Sequence, residues 1–386
     1  MSRRLRIAWL GHKSAKLGGG MATYSQEITA GLRRRGLHVT FFHHDEGEGD
    51  GPIPGREEDQ ESVSLASVKL MKPLVFSPPT AKEKLIDRLQ KRDFDLVHAS
   101  FWFSSMDFDL PKLTRELGIP LVATFHVAFD QRRSLWGGIT SSMYRLYAPT
   151  LARCERVIVF GPAQRDILIN LGVPEHVLRI LPNGVDIDAY TPGPSEALRR
   201  FDADRIFLYM GRVDSEKNVD VLLEAFLRAA PPRRTKLVVM GTGTAKRRLE
   251  RFYRDSRIIF TGHISEAEER ISILRAAEAF FLPSTVEGLS LSMLEAMACG
   301  VATVATDVGS DGEALRGAGI VIDPGNLEVE LQMAIRHLID LPFLSGELGR
   351  LARQRVVERF SLESNLDALT GLYEELLGIR TGPAPT

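Results

Sequence analysis

Short, almost continuously apolar runs alternate with helical patterns along nearly the whole chain, and that rhythm leaves few folds open. In the first half the strand-like runs are "LRIAWLG" (5–11), "LHVTFF" (37–42), "DLVHAS" (95–100), "PLVATFH" (120–126), "RVIVFG" (156–161) and "LRILPNG" (178–184). The second half repeats the series with "IFLYMGR" (206–212), "KLVVMG" (236–241), "RIIFTG" (257–262), "AFFLPS" (279–284), "VATVATD" (301–307) and "GIVIDP" (319–324). Helical stretches such as 20–35, 162–172, 218–230, 265–277 and 327–340 lie between them. Strands apolar on both faces belong to parallel sheets covered by helices on both sides. The series breaks once, at "DAYTPGPSEALRR" (188–200), where Pro and Gly mark a linker. The expectation is an α/β protein of two tandem doubly wound, Rossmann-like domains, residues 1–190 and 200–360, facing a central cleft. A length of 386 residues suits two domains better than one core. Ligands of such sheets collect at the carboxyl ends of the strands, so chemistry is sought there.

Composition narrows the class. With 44% hydrophobic and 26% charged residues the chain has the make-up of a soluble globular protein. It lacks the long apolar run of a membrane span. "MSRRLRIAWLGHK" passes from a basic stub straight into a strand, without the apolar region of a signal peptide. Only Cys154 and Cys299 occur, each within an apparent helix, which argues against a disulfide framework or zinc site. The expectation is a cytoplasmic protein. A net charge of −1 argues against a dedicated nucleic-acid binder. Residues 45–61, "DEGEGDGPIPGREEDQE", concentrate eight acidic residues against one arginine, and residues 44–62 read as a mobile surface loop. The rest of residues 1–190 carries about 24 Lys/Arg against about 14 Asp/Glu. Such a basic half suits anionic headgroups or a phosphorylated acceptor, and equally an ordinary solvated surface.

Two carboxylates stand out in "EGLSLSMLEAMACG" (287–300). A strand ends near Ser284 and a helix begins near Leu291, so Glu287 lies on the loop and Glu295 in the helix. Glu295 falls on the apolar stripe of Leu291, Leu294 and Ala298, where a carboxylate is costly without a partner. Between them Gly288, Leu289 and Ser290 offer backbone N–H groups at a helix N-terminus, a seat for phosphate. Loop carboxylate, anion seat and buried carboxylate match the layout of a sugar nucleotide. The plainer alternative is a solvated glutamate and an ordinary helix glutamate. In "GRVDSEKN" (211–218), Arg212 and Lys217 follow a strand and could neutralise a departing diphosphate.

Together "GRVDSEKNVDVLLEAF", "LPNGVDIDAY" and "STVEGLSLSMLEAMACGVATVATDVG" resemble the GT-B glycosyltransferases of family GT4 (glycosyl transferases group 1). The resemblance is close over about residues 156–375 and loose before them, and Glu287 and Glu295 match the family's E-x7-E element. It implies transfer of a hexose from a UDP- or GDP-sugar to a hydroxyl of a lipid, glycan or small molecule, with retention and without cofactor or metal. Arg212 and Lys217 would hold the donor diphosphate, Glu295 the ribose and Glu287 the transferred sugar. The backbone of Gly288, Leu289 and Ser290 would complete these contacts. Ile264, in "GHIS", would bond the base through its main chain. Gly18, Gly19 and Gly20 resemble the glycine loop that approaches the diphosphate, where a Cβ would intrude. His126 resembles the histidine near sugar and acceptor. The final helix, about 361–378, would return to the acceptor-binding N-terminal domain, with the donor on the second.

Weaker signals remain. "SFWFSSMDF" (100–108) places Trp102 and Phe103 after a strand end, as acceptor pocket or as core. Arg132, Arg133 and Trp136 follow the His126 loop and could meet an anionic acceptor or a membrane surface, an exposed loop being the plainer reading. The D-x-D triplets Asp93/Asp95, Asp107/Asp109 and Asp186/Asp188 read as strand approach, cap of the helix "LPKLTRELG", and connection. "GTGTAK" (241–246) is a poor dinucleotide fingerprint. Three rivals stand beside transfer: a sugar-nucleotide epimerase of the same fold, a non-catalytic sugar-nucleotide-binding module, and a glycoside hydrolase. The last needs its carboxyls about 5–10 Å apart across one bond.

Overall fold

Apolar strand runs become the centres of two parallel sheets. The structure, a computed structural model, describes residues 4–12, 20–45, 62–71, 74–91, 93–129 and 135–379. The first sheet contains β1 (Arg6–Gly11), β2 (His38–Asp45), β3 (Ser62–Ala66), β6 (Leu96–Phe101), β7 (Leu121–Phe125), β8 (Arg156–Val159) and β9 (Leu178–Ile180), in the order β3-β2-β1-β6-β7-β8-β9. Its pairings are parallel. β4 (Val68–Met71) and β5 (Leu74–Phe76) form a separate antiparallel ribbon. The second sheet has β10 (Arg205–Met210), β11 (Thr235–Met240), β12 (Ile258–Gly262), β13 (Ala277–Leu282), β14 (Ala302–Thr306) and β15 (Ile320–Ile322), in the order β12-β11-β10-β13-β14-β15. It too is parallel. Strand order reverses between β1 and β6 in one sheet and between β10 and β13 in the other.

The chain divides into two compact units, 1–127 with 138–181 and 365–386, and 128–137 with 182–364. The crossover thus falls at Leu181/Pro182, ahead of the Pro- and Gly-bearing stretch at 188–200. That stretch is held by the second unit, where Tyr190 is buried and its backbone carbonyl accepts from Arg353 at 2.8 Å. β3, β4 and β5 were not expected. They occupy 62–76, past the expected loop at 44–62, whose residues 46–61 lie outside the described part. His44 and Asp45 of that loop belong to β2.

The helix Leu362–Leu377 belongs to the first unit from Asn365 onward. Its Leu366 fills a notch at Gly31, where an added Cβ would meet Leu366 Cδ1 at 2.3 Å. Tyr373, fully buried, bonds His98 Nδ1 through its hydroxyl at 2.5 Å, and His98 Nε2 lies 2.7 Å from Thr124 Oγ1. Burial, then the neighbouring His126, pushes His98 down to about 3, so it stays uncharged. Cys154 and Cys299 are buried free thiols. The sequence pattern places each within a helix, and the structure corrects this: Cys154 follows the helix ending at Leu151, and Cys299 caps the helix Leu291–Ala298. No helix among the described residues is long and apolar enough to cross a membrane.

Candidate active site

In the second unit the site is built where strand order reverses, from the loops after β10 and β13. Asn218 adopts a left-handed φ of 48°, which asparagine tolerates, and starts the helix Val219–Arg228. Its Nδ2 donates to Pro283 O at 2.8 Å and Thr285 Oγ1 at 2.7 Å, and Thr285 N donates to Glu216 O at 2.7 Å. These bonds stitch one loop to the other and bring Lys217 to Glu287, with Nζ and Oε1 2.5 Å apart. Lys217 is buried, and Ser284 Oγ adds a 2.8 Å bond to the same carboxylate oxygen. Arg212 is exposed and pairs with Asp214 at 2.6 Å and Glu216 at 2.8 Å. Gly241 and Gly243 of "GTGTAK" serve this arrangement: Cβ atoms there would lie 1.8 Å from Gly211 O and 2.3 Å from Val213 O. They are packing glycines beneath the Arg212 loop.

Glu295 lies in the helix Leu291–Ala298 and is buried with Leu291, Leu294 and Ala298, as is every residue of that helix except Ser292. Burial pushes it up to about 7, against the Arg270 charge and a Tyr190 hydrogen bond, which act to lower it. Arg270 also donates to Ile264 O at 3.3 Å and Ser265 O at 2.7 Å, so it links the buried Ile264 loop to Glu295. One N–H of the expected phosphate seat is already engaged. Ser290 N donates to Asp311 Oδ1 at 2.7 Å, so it is not free, while Ser290 Oγ caps the helix at Met293 N, 3.3 Å. Gly288 and Leu289 turn their carbonyls to Ser310 N at 2.6 Å and Asn183 Nδ2 at 2.7 Å. Tyr190, Arg270, Asn183 and Asp311 are therefore parts that sequence reasoning missed. "LPNG" pointed at Asn183, but Asp311 in "GSDGEA" reads as an ordinary turn.

The first unit gathers different chemistry at its carboxyl edge. His126 follows β7, packs edge-on to Tyr24 with ring centroids 4.9 Å apart, and lies 5.2 Å from Phe160. Its Nε2 is buried without a partner among the described residues. Burial, then His12, pushes it down to about 3, leaving a neutral ring. Trp102 meets His12 edge-on at 5.6 Å. Phe103 holds φ 57°, an outlier for a bulky residue, fixed by Tyr147 Oη accepting from its N–H at 2.7 Å. Asp107 accepts from Tyr147 Oη at 2.7 Å and from the N–H of Trp102 at 3.0 Å. It closes a capping box with Ser104, so this helix begins at Ser105, ahead of the expected cap, and Asp107 lies inside it. Asp95 accepts from Arg6 N at 2.7 Å, and Asp186 from Asp188 N at 3.1 Å. These bonds give the D-x-D triplets structural work. A cavity of about 20 Å³ beside His43, His44 and Ser100 has room for one water.

Gly20 is the exposed first residue of the helix Gly20–Arg34. Gly18, Gly19, Arg132 and Arg133 lie outside the described residues, and of Trp136 only the backbone, within the helix Leu135–Leu151, is described. Among the described residues no three His, Cys, Asp or Glu side chains converge as a metal site would.

Two family models match the chain in tandem, Glycosyltransferase Family 4 over residues 18–189 and Glycosyl transferases group 1 over residues 204–340. The chain belongs to the GT4 glycosyltransferases. D-inositol 3-phosphate glycosyltransferase of Gordonia bronchialis is 26% identical over 93% of this chain and 84% of its own length. A glycogen synthase of Mycobacterium tuberculosis is 28% identical over 72% of this chain and 68% of its own. Among solved structures, sucrose-phosphate synthase of Thermosynechococcus elongatus superposes with a TM-score of 0.79 at 22% identity, covering 98% of this chain and all, 100%, of that one. Anabaena Alr3699/HepE in complex with UDP-glucose gives 0.76 at 18%, over 96% and 100%. The fold of this GT4 glycosyltransferase is thus GT-B.

Proposed function

We propose that the enzyme is a retaining, metal-independent hexosyltransferase that takes its sugar from a nucleoside-diphosphate donor, UDP first and GDP second. It passes the sugar to a hydroxyl in lipid, polysaccharide or small-molecule glycoside synthesis. One observation carries the reading: the buried Lys217–Glu287 pair at the strand reversal of the second unit, followed one helix later by the separately partnered Glu295. HepE, the neighbour of similar fold, binds UDP-glucose, which supports the donor class.

In this reading Arg212 and Lys217 hold the diphosphate, Glu287 a sugar hydroxyl, Glu295 the ribose, and the Ile264 main chain the base. The helix N-terminus behind Gly288 and Leu289 adds its dipole. As the sugar–phosphate bond breaks, its electron pair passes to the phosphate oxygen, whose growing charge the two cations stabilise. The acceptor oxygen attacks on the face that the diphosphate leaves. Its proton passes to the departing phosphate. In the first unit, His126, Trp102 and Phe103 are assigned to the acceptor side, where the buried His126 Nε2 has no partner among the described residues. Gly18, Gly19 and Gly20 remain assigned to the diphosphate, and Arg132 and Trp136 to an anionic acceptor or membrane surface.

A hydrolytic pair is disfavoured because the carboxylates have different partners, Lys217 for Glu287 and Tyr190 with Arg270 for Glu295. Donor consumption, measured with and without acceptor on a donor found by thermal-shift screening, decides among the readings. Consumption that needs an acceptor supports transfer, whereas epimer or free sugar formed without one overturns it.

A further inference from the structure

The loop that carries Glu287 does not hold itself in place. Ser310 N donates to Gly288 O at 2.6 Å, and Ser290 N donates to Asp311 Oδ1 at 2.7 Å, so the loop after β14 braces the loop after β13 at two points. The two backbones are packed closely. Gly309 has φ 57°, and a Cβ there would lie 2.2 Å from Glu287 O. Asp311 is fully buried, and its second oxygen, Oδ2, has no partner among the described residues. Two charged groups face it from neighbouring elements, Glu287 and Lys217, and these are already paired with each other. On its own short helix, Asp311–Leu315, Glu313 is exposed, and Asp307 just before that helix is exposed and paired with Arg316 at 2.9 Å.

A carboxylate here would sit buried beside a second carboxylate, next to the place where the proposed function puts a diphosphate. We propose that Asp311 is a positioning residue of the donor site that acts as an uncharged acid. Its Oδ1 accepts the Ser290 N–H and so sets the backbone that presents Glu287, while the proton on Oδ2 keeps a further negative charge away from the donor. Burial, with Glu287 next in effect, pushes this carboxyl well above the usual range, in agreement with the geometry. Ionising Asp311 adds charge against the diphosphate and competes with Glu287 for Lys217. Donor affinity therefore falls as pH rises.

The inference rests on the donor reading, and the test separates the two. The full chain, Asp311→Asn and Asp311→Ala are compared by calorimetric titration with UDP and GDP between pH 7 and 9.5, and by unfolding without ligand over the same range. Asparagine keeps an acceptor for Ser290 N–H and cannot ionise. It should bind UDP within about twofold of wild type at pH 7, and hold that affinity at pH 9.5 where wild type loses up to about tenfold per pH unit. Alanine should bind about tenfold more weakly throughout, because the Ser290 N–H loses its buried acceptor. Glu295 titrates in the same range in all three proteins, so the difference between them isolates Asp311. Asparagine and wild type sharing one pH profile for UDP overturns the proposal. If wild type binds neither nucleotide, the donor reading fails instead, and the unfolding curves decide the brace. There, a wild-type midpoint falling faster with pH than that of Asp311→Asn supports it, and parallel curves overturn it.

Discussion

Both units place their notable residues at the carboxyl edge of a parallel sheet beside a reversal of strand order, yet they fill that edge in opposite ways. The second unit uses charges already engaged by short contacts between loops, Lys217 with Glu287 and Arg212 with Asp214 and Glu216. The first uses rings and neutral groups, with His126 among Tyr24 and Phe160, and Trp102 against His12. A lysine ammonium has three N–H donors, so one held by a carboxylate can still offer others to an anion. An uncharged edge suits a hydroxyl-bearing ligand whose proton must leave. The same scaffold is thus tuned by what its loops carry.

The largest expected effect lies in the second unit. Lys217→Ala should lower transfer by about 10²–10³-fold, as loss of a preorganised charge partner does elsewhere. Wild-type turnover in that variant would remove the charge half of the contrast. Next is Tyr373→Phe in the first unit, which takes a partner from the buried His98. It should cost about 1–3 kcal/mol by denaturant unfolding and leave UDP affinity unchanged. A matching loss of UDP affinity would show that the units do not act separately. Glu295→Gln should be mild, about threefold in UDP affinity near pH 6 and larger at pH 8.5, because a carboxyl at about 7 is mostly neutral at the lower value.

pH sharpens the comparison further. His98 and His126, ordinarily near 6.5, are both pushed down to about 3, so the stability that their burial requires is present above 6.5 and is lost as pH falls toward 3. Glu295, ordinarily near 4.5, is raised to about 7, so its contribution is present below 4.5 and is lost as pH rises through 7. Asp107 of the first unit, also raised to about 7, follows Glu295. Hydrogen exchange at pH 4.5 should accordingly loosen amides around β6 and β7 before those of β10 and β13. The reverse order would break the contrast.

What could be read in advance follows the range of each interaction. Strand alternation is local, and so is the wheel position of Glu295, which already separates it from Glu287. Lys217, Glu287 and Arg212 sit in short motifs whose spacing carries their geometry. Asp311, Tyr190 and Arg270 act on residues far away in sequence, and nothing in "GSDGEA" marks a buried acid. The ribbon of β4 and β5 escaped notice because its strands are short and pair with each other, with one further bridge from Val75 to Ser104. Phe103 is unreadable for another reason: its positive φ opposes its own preference and is imposed by Tyr147.

The first unit is also discontinuous, since residues 365–386 complete it after the chain has passed through 182–364. On a ribosome its sheet emerges early, with the Gly31 notch empty and His98 lacking its phenol. The second unit draws only residues 128–137 from outside its main span and can close first. The domain begun first is finished last. A chain stopped before residue 365 would carry the main span of the second unit whole and the first unit without its closing helix.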